Sequence, residues 1–161
     1  MRVLIVAVGR MKAGPERELV ARYLDRATAS GRPLGLADFS VIELGESRAS
    51  SPDARKAEEA RAIRAAIPEK SAVITLDERG KSLPSADFAT RIADWRDTGK
   101  PALVLVVGGA DGLAKELRDT ADLVISFSAM TWPHQLVRIM AAEQLYRATT
   151  ILSGHPYHRG D

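Results

Sequence analysis

Apolar residues along this chain come in short unbroken runs, separated by longer stretches where they recur every three or four positions. Arg2–Val8 is nearly continuous and rich in β-branched residues, which predicts a strand covered on both faces. Gly9–Lys12 reads as a loop, and Pro15 suits a first helical position. Leu19, Val20, Tyr23, Leu24 and Ala27 then fall on one helical face. Phe39, Val41 and Leu44 alternate with polar neighbours and predict a second strand, followed by a polar loop over Gly45–Pro52. Ser51-Pro52-Asp53 starts a helix that continues through Ala54–Ile67. Ala72–Leu76 is a third strand ending at Asp77–Lys81, and Ser85 is placed to cap a helix with Phe88, Ala89, Ile92 and Trp95 inward. Gly99 ends that helix, and Ala102–Val107 is the fourth and most apolar strand. Leu113–Asp119 is a short helix, Leu123–Ile125 the core of a fifth strand, and Pro133 opens a long helix to about Thr150. Strands alternating with helices, without a long linker or repeat, predict one α/β domain over residues 1–161 with a mainly parallel sheet flanked by helices.

Ligands of such sheets bind beyond the carboxyl ends of the strands, where the loops after Leu76, Val107 and Ile125 lie. The fourth and fifth strands are read as neighbours, whose loops can form one pocket. Gly108-Gly109-Ala110-Asp111-Gly112 has three glycines in five positions, letting a ligand approach the backbone closely. A tight strand-to-helix turn without a ligand explains the same residues equally well. The run lacks the spacing of dinucleotide folds and the Lys-Ser/Thr of a P-loop, which disfavours a nucleoside triphosphate. A larger side chain at Gly108 is expected to fill ligand space. Ser126–His134 sets Phe127, Met130 and Trp132 among the hydroxyls Ser126, Ser128 and Thr131, a lining suited to an aromatic base and a ribose. The plainer reading is a buried loop whose hydroxyls cap the next helix.

The last helix is apolar on most faces, which predicts a central helix or one shared with a second subunit. Its charges form two clusters: His134 and Arg138 stand one turn apart, as do Glu143 and Arg147, each two on their own face. As a surface salt bridge the second pair would contribute only about 0.3–0.5 kcal/mol. His155-Pro156-Tyr157-His158-Arg159 is either a frayed terminus or a tail competent to stack on and hydrogen-bond an RNA base. Two histidines without a neighbouring cysteine or clear carboxylate partner make a weak metal site, and none is expected. The closing Arg159-Gly160-Asp161 matches an adhesion tripeptide by chance.

Composition narrows the classes. The 161 residues are 45% apolar and 27% charged, ordinary for a globular protein, and contain no cysteine, which excludes disulfides and thiolate chemistry. No secretory signal or membrane span is read, so a cytoplasmic location is expected. The 23 basic and 21 acidic residues give a net charge of +2, so any nucleic-acid role depends on local placement of cations.

The motifs together resemble the small SPOUT methyltransferases that modify a pseudouridine of large-subunit ribosomal RNA at ring N3. The likeness runs from Val6-Ala7-Val8-Gly9 with Lys12, through Thr75-Leu76-Asp77 and Gly80-Lys81, to Gly108-Gly109-x-x-Gly112, Ser126-x-Ser128-x-x-Thr131-x-x-His134 and His155–Arg159. Ala110 stands where the family commonly has proline, and Phe127 and Trp132 where it has leucine; all three keep the lining apolar. The resemblance implies a C-terminal trefoil knot, a homodimer, the ribosome as substrate, and S-adenosylmethionine held by Leu76, Gly108, Phe127, Ser128, Ala129, Met130, Thr131 and Trp132. A uracil-type ring N–H is a poor nucleophile until its proton leaves. The candidates are His158 or Glu143 as base, Arg147 and Arg159 as stabilisers of charge on the ring, and Tyr157 to hold it. A non-catalytic RNA-binding protein of this fold, an enzyme acting on a small nucleotide, and a methyltransferase of another RNA site are the competing readings.

Overall fold

The computed structural model describes residues 1–159. Gly160 and Asp161, and with them two-thirds of the adhesion-like tripeptide, lie outside the described residues. The elements in chain order are β1 (Arg2–Val8), α1 (Pro15–Gly31), a 3-10 turn at Arg32–Leu34, β2 (Ala37–Leu44) and α2 (Pro52–Ala66). They continue as β3 (Ala72–Lys81), α3 (Ser85–Asp97), β4 (Ala102–Val107), α4 (Lys115–Asp119), β5 (Leu123–Ile125) and α5 (His134–Ser153). The strands form one sheet in the order β2-β1-β4-β3-β5, and every ladder is parallel.

Two apolar layers explain the unbroken strand sequences. Val3, Ile5 and Ala7 of β1 and Leu103, Leu105 and Val107 of β4 face a core closed by α1, α3 and α5. Leu4, Val6 and Val8, with Val104 and Val106, face a second core closed by α2 and α4. Alternate residues therefore point to opposite helix layers, both dry, and no position on β1 or β4 after Arg2 needs to be polar.

The structure departs from the sequence expectation in four places. β4 and β5 are not neighbours, since β3 lies between them. β3 runs five residues past Leu76 to Lys81; this polar stretch is an outer segment that pairs again with Ile125. Ser85 does not cap α3: Pro84 holds the extended cap position, and the Ser85 hydroxyl instead donates to Gln144 Oε1 at 2.7 Å. Likewise Pro133 precedes α5 as its cap residue, and that helix continues to Ser153, where Gly154 stops it in a left-handed conformation. The helix start read at Ser51-Pro52-Asp53 is present, and there the Ser51 hydroxyl caps α2, accepting from Ala54 N at 3.1 Å. No helix among the described residues is long and apolar enough to cross a membrane.

Candidate functional site

The carboxyl ends of β4, β3 and β5 open side by side onto a cleft of about 850 Å³. Leu76, Val107, Ile125, Phe127 and Val137 supply apolar lining, while Asp77, Glu78, Arg79, Lys115 and Arg118 bring charge to it. Of the expected cofactor residues, Leu76, Gly108, Phe127, Ser128, Met130, Thr131 and Trp132 all line this cleft. Ala129 is exposed and lies outside the lining.

Each loop is held by its own short-range bonding. In the glycine loop, Gly112 N donates to Gly109 O at 3.0 Å, and Gly112 sits at φ +80°, where a side chain would be strained. The glycine at 108 is needed for a different reason than expected. A Cβ there would meet Leu113 Cγ at 2.9 Å and the Gly112 backbone at 3.1 Å. A larger residue at Gly108 would therefore burst the turn before it filled ligand space. In the loop after β5, Ser128 N donates to Ser126 Oγ at 3.2 Å, Ser126 Oγ to Ser128 O at 2.9 Å, and Met130 N to Ser128 Oγ at 2.9 Å. These hydroxyls brace their own loop rather than capping α5, which has no side-chain cap.

Three long-range ion pairs clamp the cleft. Arg55 of α2 grips Asp111 with two bonds of 2.7 and 3.0 Å and donates to Ala49 O at 3.1 Å. The hydrogen bond from Arg55 holds the Asp111 carboxyl below its usual range. Arg118 Nη1 donates to Asp77 Oδ2 at 3.2 Å and to Leu113 O at 2.7 Å, tying β3 to α4. Arg138, only 2% exposed, donates to Glu43 Oε2 at 2.5 Å, to Val8 O at 3.1 Å and to Gly9 O. It thereby anchors the first turns of α5 to the ends of β1 and β2. Burial pushes the Glu43 carboxyl up, but the Met11 N–H, the Arg138 guanidinium and Arg17 outweigh it and hold the group below its ordinary value. His134 lines the cleft while Arg138, one turn on, turns inward. None of these three pairs was visible in the sequence, because no local spacing links residues so far apart.

The tail is not frayed up to His158: it folds back on the outer half of α5. Tyr157 hydroxyl donates to Glu143 Oε1 at 3.0 Å, and its ring lies 4.7 Å from that of Tyr146. Arg147 donates to Glu143 Oε1 through Nε at 2.9 Å and Nη2 at 2.6 Å, and its guanidinium carbon lies 4.9 Å over the Tyr157 ring. Burial, then the Tyr23 hydroxyl and Glu143, raise the Tyr157 phenol well above its ordinary value, so it stays a donor. The hydrogen bond to Glu143 raises the Arg147 guanidinium further. Glu143 and Arg147 therefore form the base of the docked tail rather than a solvated pair. Arg147 also reaches His158, while Arg159 is exposed.

The structure brings four of the five expected catalytic residues, Glu143, Arg147, Tyr157 and His158, into one cluster, but not onto the cleft. Between the two lies a smaller pocket of about 360 Å³, which shares Ile125, Ser126 and Phe127 with the cleft and reaches Glu143 at its other end. Among the described residues no group of three or more His, Asp or Glu side chains is placed to hold a metal.

Curated proteins named ribosomal RNA large subunit methyltransferase H are similar along the whole chain. That of Allorhizobium ampelinum is 60% identical, and that of Rhodopseudomonas palustris strain BisB18 is 57% identical, each over 99% of both chains. Among solved structures, the SpoU methyltransferase AviRb from Streptomyces viridochromogenes in complex with AdoMet superimposes with a TM-score of 0.39 at 18% identity, covering 91% of this chain and 57% of that one. So loose a superposition adds nothing to the assignment. The sequence profile described as "Predicted SPOUT methyltransferase" matches residues 1–158, nearly the full length. The chain belongs to the SPOUT methyltransferase family.

Proposed function

We propose that this chain transfers a methyl group from S-adenosylmethionine to ring N3 of a pseudouridine in large-subunit ribosomal RNA, acting as a cytoplasmic homodimer on the assembled ribosome. The observation that carries the reading is the convergence of the loops after β3, β4 and β5 on one cleft, in a chain of this family. The names of its curated relatives supply the RNA class.

The cleft fits the proposed donor. Its apolar lining suits an adenine, the glycine loop offers backbone groups at close range, and Glu78 brings a carboxylate to a cationic sulfonium. When bound, the sulfonium supplies an electrophilic methyl group. The chain's task is then alignment and stabilisation of charge on the acceptor ring.

The separation of tail and cleft supports a site completed between subunits. Arg147, Tyr157, His158 and Arg159 do not line the cleft of their own chain. The large exposed apolar side chains among the described residues, Met130, Trp132 and Leu136, lie in the loop and first turn beside it. A partner would cover that apolar rim and could bring its own tail across. The proposed knot rests on the chain's membership of this family.

Titration calorimetry with S-adenosylmethionine tests the donor: saturable binding is expected, and none would end the enzymatic reading. Mass mapping of ribosomal RNA from a deletion strain then tests the acceptor, with one methyl missing from one pseudouridine expected. Loss at another base would replace that substrate. Heterodimers of a tail-deleted and a cleft-blocked subunit should recover activity if the site is shared, and silence would refute sharing.

A further inference from the structure

The hydrogen bonds around Arg147 decide which nitrogen of His158 carries its proton, and the role this gives the tail rests on the methyl-transfer reading. A guanidinium has donors only. Arg147 Nη1 lies 3.3 Å from His158 Nδ1, so Nδ1 is the bare, accepting nitrogen and the proton of the neutral ring sits on Nε2. Among the described residues Nε2 has no hydrogen-bond partner. Arg147 cannot easily swing to another arrangement, because Glu143 holds its Nε and Nη2 and the Tyr157 ring lies against its face. Glu143 is engaged on one side: its Oε1 accepts two bonds from Arg147 and one from Tyr157, while Oε2 accepts one from Gln144 at 2.8 Å.

The titratable and charged groups around the cluster are Glu143, Tyr146 and Arg147 on α5, Tyr23 on α1, and Tyr157 in the tail. Of these, Arg147 is the one in hydrogen-bond contact with His158. His158 is thus arranged to donate from Nε2 rather than to accept a proton from a substrate, since its accepting nitrogen faces Arg147.

We infer that Arg147 is a positioning residue that fixes His158 as an Nε2–H donor, so that the tail stabilises negative charge on the acceptor ring and takes no proton from it. The ring N–H gives its proton to water. The nitrogen pair of the resulting anion forms the new N–C bond, while the C–S pair of the methylsulfonium donor returns to sulfur. One negative and one positive charge disappear together. Before transfer, a carbonyl oxygen beside the nitrogen carries much of the anionic charge, and an Nε2–H reaching it is a charge-assisted donor.

Nitrogen-15 spectra of the full-length protein without ligand test the tautomer, with His158→Gln assigning the signal among the three histidines. The expected result is an unprotonated Nδ1 and a protonated Nε2; a proton on Nδ1 overturns the inference. Single-turnover methylation of ribosomes from a deletion strain tests the role, with circular dichroism confirming that each variant folds. His158→Gln keeps an N–H donor and should stay within about tenfold of wild type, whereas His158→Ala should fall by about a hundredfold or more. The wild-type rate should rise with unit slope from about pH 6 to about pH 8.5 as the ring itself ionises, without levelling near the ordinary histidine range of about 6.5. A plateau there, with the glutamine variant as inactive as the alanine one, overturns the donor role and leaves the functional reading standing. A wild-type protein that methylates no such ribosome overturns the functional reading and the role together, while the spectra still judge the tautomer.

Discussion

The cleft and the tail are built by opposite means. At the cleft, the loops are shaped by close backbone contact and short-range bonds, with ion pairs only tying them to neighbouring elements: Gly80 lies flat on Ile125, Gly112 turns at φ +80°, and the Ser126 and Ser128 hydroxyls brace their own loop. In the tail, shape comes from side chains, with Tyr157, Glu143, Arg147 and His158 meeting across 16 residues of chain. A backbone-shaped site tolerates no added carbon but forgives a lost charge at its rim. A site made of side chains behaves in reverse. Donor binding and turnover should therefore separate cleanly under mutation, and that separation can be attacked directly.

The largest effect is expected at the crossing of β3 and β5. A Cβ on residue 80 would fall on the backbone of Ile125, and neither strand can retreat without losing the Lys81–Ile125 pairing and the 3.0 Å bond from Ser126 N to Lys81 O. Overpacking ordinarily costs about 1–3 kcal/mol, and an unyielding backbone puts Gly80→Val at or above the top of that range. Its thermal midpoint should fall by about 10 °C or more, and S-adenosylmethionine binding should vanish. A Gly80→Val protein with normal affinity would show that this crossing does not shape the cleft.

Next comes the buried pair beneath α5. Arg138→Met leaves Glu43 with only the Met11 N–H at 2.7 Å. Breaking a buried pair costs about 3–5 kcal/mol, and Glu43, with a quarter of its side chain exposed, belongs at the lower end. The pH dependence has a definite sign. In the wild type the Glu43 carboxyl is held below its unfolded value, so its contribution is present above about pH 4.3 and fades as pH falls through the folded value. In Arg138→Met the unpaired carboxylate is relieved by protonation, so the stability gap between the two proteins should narrow below about pH 4. Urea melts at neutral and acid pH read it; a gap that widens in acid would refute the pairing as the source.

Much of this was legible in the sequence, for a physical reason. β1 and β4 are dry on both faces, so unbroken apolar runs had to be strands, and the loops that follow them are contiguous segments with their own composition. Burial of a run does not say which strand lies beside it, and so β3 came between β4 and β5 unannounced. The outer half of β3 was missed because Asp77-Glu78-Arg79-Gly80-Lys81 reads as a loop until a second pairing with Ile125 is known. The ion pairs Arg118–Asp77, Arg55–Asp111 and Arg138–Glu43 join residues 41, 56 and 95 positions apart, a separation that no periodicity encodes. The tail's residues were identifiable by their chemistry, but their docking on Glu143 and Arg147 depends on where Gly154 turns the chain.

A milder test removes charge from the rim while leaving its backbone intact. Asp111→Asn loses the ion pair with Arg55 but keeps an acceptor for the guanidinium. Calorimetry should find donor affinity changed by no more than about fivefold, the range of a partly exposed pair, with turnover at saturation unaltered. A loss of binding as complete as that expected for Gly80→Val would mean that charge, not backbone, shapes this loop.

The smallest expected effect is also the sharpest on the tail. Tyr157→Phe removes one hydroxyl, the 3.0 Å donor to Glu143, and keeps the ring against Tyr146 and Arg147. A hydrogen bond to a charged group contributes about 1.5–3 kcal/mol, and here that energy holds the segment after Gly154 rather than the sheet. The loss should appear as local opening: faster amide exchange over residues 155–159, with the global midpoint moved by less than about 2 °C. Donor affinity should not change, since Tyr157 does not line the cleft. Turnover should fall by about threefold to tenfold, because Arg147 and His158 are then held in register for less of the time. Faster exchange with undiminished turnover would mean that the docked tail is an ornament of α5, and the side-chain half of the comparison would fail while the backbone half stood.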